Sequence, residues 1–557
     1  MNNRLIANQS KINHMKIFKT LLILFFVTSL SAQNITTSFD QLLQEKYPDD
    51  SPGATVLVTK KGKVLYRNAF GNANLENAIV MNPNHVFEIG SITKQFTAVS
   101  ILMLEEEGKL SIQDKLSKYL PSYPNGDQIT IHHLLNHTSG IKSYTAMAGL
   151  NTFGKNDKTP MEIIDYFKDE PIDFKPGEQW NYNNSGYIIL GYIIEKVSGI
   201  AYEDFIQQRI FDELGMKNSY YGDKSKIIKN RASGYQPTEQ GFQNATQISM
   251  TIPYAAGSLM SCVDDMFLWH KAIRDNTLIP ANSKAKAHTN TALNNGERTN
   301  YGYGWQINEL NNKQSIEHGG GIFGFVTQGV YVPDEDIYVI VLTNANGNSP
   351  QEITLRLASM VMDKPMFTEK TSVTLSQKQL QQWTGTYAFD NDVLRFVTLE
   401  GDQLYSQREG GGKIAISPVN DHMFTFENSF ATYSFSLENG KKIALFKDRI
   451  LEQKGIESNK KAAAEKEGIA LDPTVIKEYV GTYELNPSFK IVITTEGNQI
   501  FAEATGQSKV EVFGEDTDAF FLKVVPAKLI FTRDATNKIT HVTLHQGGQE
   551  MKGEKIN

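Results

Sequence analysis

The last third of the chain contains an internal repeat, which limits the possible fold more than any other feature. Gly385–Tyr387 has the sequence Gly-Thr-Tyr and recurs at Gly481–Tyr483, an offset of 96 residues. The same offset relates Glu400–Tyr405 to Glu496–Phe501, and the register holds without a gap as far as Ile443. A repeat at a fixed spacing indicates that one structural unit is present twice. We therefore expect two small domains of the same fold.

Each copy of the repeat is predicted to be a small antiparallel β-barrel or half-barrel. Short runs in each copy alternate apolar and polar residues, as in Lys490–Thr494 and Lys528–Thr532, which is typical of strands that bury one face. We place the first repeat at residues 371–450 and the second at residues 471–557. Residues 451–470 between them are charged and rich in alanine, which favours a linker.

The preceding region, residues 33–365, mixes strand and helix patterns. A chain of 557 residues is too long for one ordinary core, so a separate domain is expected here. Apolar runs joined by polar turns predict a hairpin at each end, and glycines end two helical stretches between them. The hairpins are Ala54–Lys60 with Gly62–Arg67 and Val326–Val332 with Ile337–Thr343, and the helices are Phe96–Glu107 and Ile188–Val197. These elements predict an α+β fold with one antiparallel sheet flanked by helices.

The N-terminal segment is typical of an export signal. Lys16 and Lys19 precede the apolar run Leu21–Leu30, and the small pair Ser31–Ala32 follows. This order indicates a signal peptide that is cleaved after the small pair, whereas a permanent anchor needs about 20 apolar residues. We predict that residues 1–32 are a signal peptide and that the mature protein is secreted or periplasmic, without a stable membrane anchor.

Composition argues against several classes of partner. The formal net charge is −7, so the chain lacks the basic character of nucleic-acid-binding proteins. Cys262 is the only cysteine, which excludes an intramolecular disulfide. His132, His133 and His137 have helical spacing, but no acidic residue or cysteine lies among them, and we interpret them as structural. Neither a metal site nor a cofactor site is predicted.

Ser91 and Lys94 form the pattern Ser-x-x-Lys at a predicted helix start. Residues three apart share one helix face, so the lysine amine can reach the serine hydroxyl. A serine nucleophile needs such a base, and a lysine can act as one only where burial or nearby positive charge lowers its pKa. By itself this short pattern arises by chance in most chains of this size and is more typical of a capped, solvated helix. Two further motifs favour a catalytic interpretation.

The two further motifs supply the remaining chemical groups. Tyr182 and Asn184 lie in a turn-rich stretch before an apolar helix, where a tyrosine could relay a proton and an asparagine could orient Lys94 or a substrate carbonyl. His318–Gly321 has the sequence His-Gly-Gly-Gly, and its glycines allow a backbone N–H to approach an acyl group. The alternatives are an ordinary loop for the first motif and a flexible turn or phosphate loop for the second. A phosphate loop would need a Lys-Ser/Thr pair and a following helix.

Five motifs occur in order within residues 40–360. They are Glu88–Ala98, Leu134–Gly140, Pro176–Asn184, Tyr301–Trp305 and His318–Phe325. As a set they resemble the serine β-lactamase and penicillin-binding-protein superfamily, and most closely the class C β-lactamase-like hydrolases with their esterase and D-amino-acid peptidase relatives. The resemblance implies an α+β domain with an all-helical subdomain. The C-terminal repeats resemble the lipocalin-like domains that follow some members.

The resemblance also implies a role for each candidate residue. Ser91 would be the acylated nucleophile, Lys94 its base partner and Tyr182 the proton shuttle. The backbone N–H groups of Ser91 and Gly321 would form the oxyanion hole. The residues expected to bind substrate or the oxyanion are Asn184, His318, Gly320 and Gly321.

One departure from the family pattern bears on the substrate. The β-lactamases proper carry Lys-Thr-Gly where this chain has His318–Gly320, and a histidine is only partly charged at neutral pH. We therefore expect a hydrolase of small esters or of D-amino-acid amides and peptides. Hydrolysis of β-lactams or of D,D-peptides in cell-wall material is the first alternative, and a non-catalytic binding protein on the same fold is the second. The expected partner is a small-molecule or peptide substrate.

Overall fold

The computed structural model describes residues 35–557 apart from 148, 239, 348, 365–372, 390–392, 427–428, 461–467, 470, 487–488, 506–508, 526, 547–548 and 557. The predicted signal peptide and the middle of the predicted linker lie outside the described residues. Within the described ranges, no helix is both long and apolar enough to cross a membrane.

A six-stranded antiparallel sheet forms the centre of the N-terminal domain. In spatial order its strands are β10 (Gln306–Leu310), β11 (Lys313–Ile322), β12 (Phe325–Val332), β13 (Ile337–Thr343), β1 (Ala54–Lys60) and β2 (Lys63–Phe70). Both predicted hairpins are confirmed, and they join where β1 pairs with β13 over seven residue pairs. The two ends of the domain thus meet in one sheet.

Helices cover both faces of this sheet, which confirms the predicted α+β class. One face packs against α1 (35–46) and α12 (Gln351–Val361), and the other packs against α2 (Thr93–Glu106) and α10 (Val263–Arg274). Strand β1 lies between these layers and is buried on both faces, which explains its nearly continuous apolar sequence. Helix α2 is itself buried from Thr93 to Leu104.

The remaining helices and short strands lie between β2 and β10. The helices are α3 (Ile131–Leu135), α4 (Leu150–Phe153), α5 (Pro160–Phe167), α6 (Asn184–Ser198), α7 (Tyr202–Ile206), α8 (Asp212–Leu214), α9 (Tyr254–Gly257) and α11 (Ala281–Ala287). The strands are β3 (Asn72–Asn74), β4 (Ile79–Val80), β5 (Phe87–Glu88), β6 (Tyr220–Tyr221), β7 (Tyr235–Thr238), β8 (Gly241–Asn244) and β9 (Leu259–Ser261). The described residues of 131–214 contain helices and loops but no strand, as the resemblance implies.

Two closed antiparallel barrels of eight strands each follow, as the repeat predicts. A short helix precedes each barrel, α13 (Gln377–Gln381) and α14 (Pro473–Ile476). The first barrel comprises β14 (Gly385–Ala388), β15 (Leu394–Glu400), β16 (Gln403–Arg408), β17 (Lys413–Pro418), β18 (Met423–Phe426), β19 (Thr432–Glu438), β20 (Lys441–Asp448) and β21 (Leu451–Ser458). The second comprises β22 (Gly481–Asn486), β23 (Phe489–Glu496), β24 (Gln499–Ala504), β25 (Val510–Asp516), β26 (Ala519–Leu522), β27 (Ala527–Arg533), β28 (Ile539–Gln546) and β29 (Gln549–Lys555).

The end predicted for the first repeat, residue 450, is too early by one strand. Strand β21, which we assigned to the linker, pairs with both β20 and β14 and thereby closes the first barrel. Without it the barrel would have two unpaired edges, which closed barrels avoid. The first barrel therefore ends at Ser458.

The first barrel is attached to the N-terminal domain at the edge of its sheet. The Arg449 guanidinium lies against β11, donates to Ser315 Oγ (3.0 Å) and to the carbonyl oxygen of Glu309 (2.9 Å), and pairs with both carboxylate oxygens of Glu317. The side chain of Glu317 is completely buried, and that of Arg449 is 10% exposed. A more exposed pair joins Lys447 to Glu309 at 2.9 Å.

Candidate active site

Ser91 lies immediately before α2, in a single 3-10 turn formed by Gly90–Ile92. The backbone of Gly90 is left-handed, with φ of 51°, and a Cβ atom there would lie 2.8 Å from the backbone nitrogen of Gly321. A residue with a side chain would clash with strand β11 at this point, so glycine is required for the close approach. The turn places Ser91 at the junction of α2 and β11, on the wall of a pocket.

Lys94 follows one turn later and is completely buried. Its Nζ atom lies 3.0 Å from Ser91 Oγ, and 2.8 Å from both Asn184 Oδ1 and the carbonyl oxygen of Ala256. All three neighbours are uncharged oxygen atoms. Burial therefore lowers the pKa of Lys94 well below its usual value, because a buried ammonium loses its hydration. This is the condition that a lysine base requires.

Tyr182 approaches the same atoms from the loop before α6. Its ring centroid lies 4.9 Å from Lys94 Nζ, and its ring packs against those of His137 and Tyr301. Burial raises the pKa of Tyr182, and the nearby Ser91 hydroxyl lowers it in part. Among the described residues, the buried Tyr182 Oη has no partner at full hydrogen-bond geometry. The phenol therefore keeps its proton beside Ser91 and Lys94.

Asn184 is the first residue of α6. The helix is capped by Asn183, whose side chain accepts a hydrogen bond from the backbone N–H of Gly186 at 2.9 Å, and such a cap fixes the start of a helix. Asn184 Oδ1 accepts from Lys94, and its Nδ2 donates to Thr145 Oγ1 at 3.0 Å. The amide therefore orients Lys94, one of the two roles that the sequence suggests.

The three glycines of the His-Gly-Gly-Gly motif lie inside strand β11. A Cβ atom at Gly320 would lie 2.0 Å from the carbonyl oxygen of Ile89, whereas one at Gly321 would meet no atom within 4 Å. Gly320 thus lets β11 approach the segment before Ser91, and Gly321 faces the pocket. Of the two glycines expected to bind substrate, Gly321 lines the pocket and Gly320 instead provides the close packing of backbone segments.

His318 also differs from its predicted position. It is buried and lies outside the set of residues that line the pocket. Its Nδ1 lies 2.6 Å from the carbonyl oxygen of Gly319, which can only accept, so Nδ1 carries the proton and Nε2 accepts from Tyr301 Oη at 2.8 Å. Burial, and secondarily Lys94, lower the pKa of His318 to about 3. His318 is therefore a neutral residue behind the pocket and not a substrate contact.

The side chains that we interpret as structural have structural partners. His132 hydrogen-bonds to Tyr303 Oη at 2.6 Å. His133 completes a capping box with Thr130 at the start of α3. Cys262 is buried and unpaired. Burial is the main reason that the pKa of its thiol is raised to about 12. The thiol is therefore unreactive at neutral pH.

The pocket beside Ser91 has a volume of about 240 Å³. None of the described residues that line it carries an acidic or basic side chain, and one of them, Asn486, belongs to the second barrel. The lining residues are Ser91, Tyr144, Thr145, Leu150, Asn184, Ile248, Ile252, Pro253, Ala256, Gly257, Gly321, Ile322, Phe323 and Asn486. The sequence does not indicate Thr145, Ala256 or Asn486 as site residues, because the first two act through contacts between distant segments and no motif marks the third.

Comparison with known proteins identifies the family of the N-terminal domain. Residues 39–359 match the family described as Beta-lactamase, and residues 465–556 match a family described as Domain of unknown function (DUF3471). Penicillin-binding protein 4* of Bacillus subtilis is 29% identical over 419 residues, which cover 71% of this chain and 92% of that protein.

Two solved structures share the fold. The octameric penicillin-binding protein homologue from Pyrococcus abyssi is 28% identical, with a TM-score of 0.53 over 76% of this chain and 99% of the other. The D-amino acid amidase from Ochrobactrum anthropi SV3 is 21% identical, with a TM-score of 0.54 over 59% of this chain and 99% of the other, and is similar in fold alone. With its family match over residues 39–359 and these relatives, the chain belongs to the β-lactamase and penicillin-binding-protein family of serine hydrolases.

Proposed function

We propose that this protein is an exported serine hydrolase that cleaves small esters or D-amino-acid amide and peptide bonds through an acyl-enzyme on Ser91. The observation that carries the proposal is the buried Lys94 amine, which lies 3.0 Å from Ser91 Oγ and contacts only uncharged oxygen atoms. Such an amine can accept the serine proton, whereas a solvated ammonium cannot.

The three oxygen neighbours of Lys94 Nζ suit the neutral amine that the reaction needs, which has two N–H bonds and one lone pair. In that form the N–H groups donate to Asn184 and Ala256, and the lone pair takes the proton of the Ser91 hydroxyl, whose Oγ lies 3.0 Å from Nζ. As Ser91 Oγ bonds to the substrate carbonyl carbon, its proton moves to Nζ and the carbonyl oxygen becomes an oxyanion. The backbone N–H groups of Ser91 and Gly321 receive the oxyanion, and one such donor contributes about 2.7–4 kcal/mol in a hydrolase.

Tyr182 completes the proton path. When the tetrahedral intermediate collapses, the bond to the leaving group breaks and the leaving atom takes the proton of Tyr182 Oη. The protonated Lys94 then returns a proton to Tyr182, so both side chains are neutral again. In the second half of the reaction a water molecule attacks the acyl carbon and gives its proton to Lys94, and Ser91 Oγ leaves with a proton. The Tyr182 ring centroid lies 4.9 Å from Nζ and the Tyr182 hydroxyl is next to that of Ser91, so Tyr182 is close to both groups between which the proton moves.

The pocket favours an uncharged acyl group. Its described lining residues have no acidic or basic side chain, and His318, which stands where β-lactamases carry lysine, is neutral and turned away. The carboxylate of a β-lactam or of a D,D-peptide would therefore lack a charged partner at this position. For the same reason, simple esters are favoured over substrates with a free ammonium group.

Two alternative functions are a β-lactamase or cell-wall peptidase and a non-catalytic binding protein. Relatives named penicillin-binding proteins favour hydrolysis of β-lactams or cell-wall peptides, which the uncharged pocket opposes. A non-catalytic binding protein gives no reason for a completely buried lysine next to a serine, because burying that amine costs free energy.

A labelling and substrate experiment tests the proposal. A fluorophosphonate probe is expected to modify the wild type and the Ser100→Ala variant, which alters a serine inside α2, but not Ser91→Ala. The same three proteins are then compared on nitrophenyl acetate, a D-aminoacyl amide and a chromogenic cephalosporin. We expect the ester to have the highest kcat/KM and Ser91→Ala to have no activity above background.

Other outcomes would contradict parts of the proposal. Equal labelling of Ser91→Ala would exclude Ser91 as nucleophile. Faster turnover of the cephalosporin than of the ester would favour the first alternative. Absence of labelling and of turnover in the wild type would favour the binding protein.

A further inference from the structure

A second cavity lies on the far side of the segment that carries Ser91 and Lys94. It has a volume of about 270 Å³. It is lined by α10, α11 and strands β11–β13, on the sheet face that packs against α2 and α10. Ile92 and Gln95, the sequence neighbours of the two catalytic candidates, form part of its wall. The cavity is therefore separate from the pocket at Ser91 but shares a wall with it.

Aromatic rings held in fixed positions form the interior of this cavity. The Trp269 Nε1 donates to Gln95 Oε1 at 2.9 Å. The ring of His270 is stacked on that of Tyr338, with 4.0 Å between centroids and 2° between planes. Trp305 contributes a further indole. A cavity with such walls favours a flat aromatic ligand, because stacked or edge-to-face contacts between rings stabilise the complex.

Two nitrogen atoms at one end of the cavity have unused hydrogen-bonding capacity. Lys284 and His288 are four residues apart and both line the cavity, as expected for one helix face. Lys284 Nζ donates to the carbonyl oxygen of Arg274 at 2.7 Å, an uncharged partner. His288 Nε2 is buried and has no partner among the described residues. A buried polar atom left in this way costs free energy, which a suitable ligand would recover.

The other cation at this end is already neutralised. The Arg274 guanidinium is bound by Asp275 at 2.7 Å and by Asp336 at 3.4 Å. Counted with Lys284, two cations lie beside two carboxylates, so Lys284 Nζ contributes a hydrogen-bond donor and no net positive charge, and the adjacent His288 offers a second donor when its proton is on Nε2. Two donors side by side match the two oxygen atoms of a carboxylate.

We propose that this cavity is a binding site for a small aromatic carboxylate. The ring lies among Trp269, Trp305 and Tyr338, and the carboxylate accepts hydrogen bonds from Lys284 Nζ and His288 Nε2. The volume of about 270 Å³ suits one ring with a short acid chain, since a cavity of about 150 Å³ is enough to bind benzene. This site does not depend on the reaction proposed for Ser91.

Binding of 3-phenylpropionate to the full-length protein tests this inference. We expect saturable binding by calorimetry and a change in tryptophan fluorescence, because two of the four tryptophans line the cavity. The uncharged 3-phenylpropionamide is expected to bind about tenfold more weakly or worse, as loss of one charge-assisted hydrogen bond predicts. Neither measurement requires turnover, so failure here is distinguishable from failure of the proposed hydrolase.

Three variants locate the bound probe. Lys284→Met and His288→Phe keep the bulk of each side chain and are each expected to weaken binding of 3-phenylpropionate about tenfold. Lys286→Met, on the same helix but paired with Glu105 outside the cavity, is expected to bind as the wild type does. The inference is overturned if the wild type does not bind the acid, if the amide binds equally well, or if the first two variants bind as Lys286→Met does. The wild-type measurement decides the matter even if a variant fails to fold.

Discussion

At the scale of single residues, the site is built from side chains that burial keeps uncharged. Burial lowers the pKa values of Lys94 and His318 and raises that of Tyr182. Each group thus holds or lacks its proton because of the loss of hydration and not because of an ion pair. A proton can then move among Ser91, Lys94 and Tyr182 without breaking a salt bridge. The Ser-x-x-Lys spacing predicts the contact, but burial of the amine depends on Asn184 and Ala256, which are distant in sequence.

The pH dependence of hydrolysis follows from the lowered pKa of Lys94. The base must be unprotonated, so kcat/KM for nitrophenyl acetate should rise with pH through that lowered pKa and then stay constant, because Tyr182 keeps its proton to high pH. Lys94→Arg, which cannot lose its proton, should reduce kcat/KM by about 10²–10⁴-fold. A rise centred near the ordinary lysine pKa of about 10.4 would contradict this account. A thermal melt of Lys94→Arg shows whether the variant is folded.

At the scale of elements, local pattern predicts strands and helices well and contacts between them poorly. The 96-residue repeat predicts two similar barrels, and matched contacts confirm it: Tyr387 and Tyr483 each donate to the backbone carbonyl four residues earlier, both at 2.7 Å. The sequence does not show that β21 closes the first barrel, because an exposed strand of mixed composition resembles a linker. Nor does it show that Gly320 meets Ile89, since that contact joins segments more than 200 residues apart.

The two glycines of β11 should respond differently to alanine. Gly320→Ala would place Cβ 2.0 Å from the carbonyl oxygen of Ile89, so β11 must move, at a cost of about 1–3 kcal/mol or more. Gly321→Ala meets no atom within 4 Å and should change the free energy of unfolding by less than about 1 kcal/mol. Denaturant unfolding of both variants provides the measurement. Equal destabilisation would show that the approach of β11 to Ile89 is not tight.

At the scale of the whole molecule, the first barrel is joined to the catalytic sheet by a buried ion pair. Removing Arg449 would leave the completely buried Glu317 without its cation, and breaking such a pair costs about 3–5 kcal/mol. Arg449→Met should therefore destabilise the protein by about that amount, and Arg449→Met with Glu317→Gln by less. Lys447→Met removes a partly exposed pair and should cost no more than about 1 kcal/mol. Chemical denaturation compares the three, and similar losses for Arg449→Met and Lys447→Met would contradict a buried attachment.

The second barrel should influence which substrates fit, because Asn486 at the end of β22 lines the pocket beside Ser91. Asn486→Trp adds bulk to that wall and should displace a long acyl chain from it. KM for a nitrophenyl ester with a long acyl chain should then rise by about 5–10-fold, because the acyl chain loses an apolar contact of about 1 kcal/mol or slightly more. KM for nitrophenyl acetate should change little.

Asn498→Trp is the control, because Asn498 is exposed in the next hairpin turn, β23–β24, and adjacent turns of an up-and-down barrel lie at opposite ends. If both tryptophan variants alter long-chain hydrolysis equally, or neither does, Asn486 does not contact the acyl group, and the second barrel has no part in substrate selection through this residue.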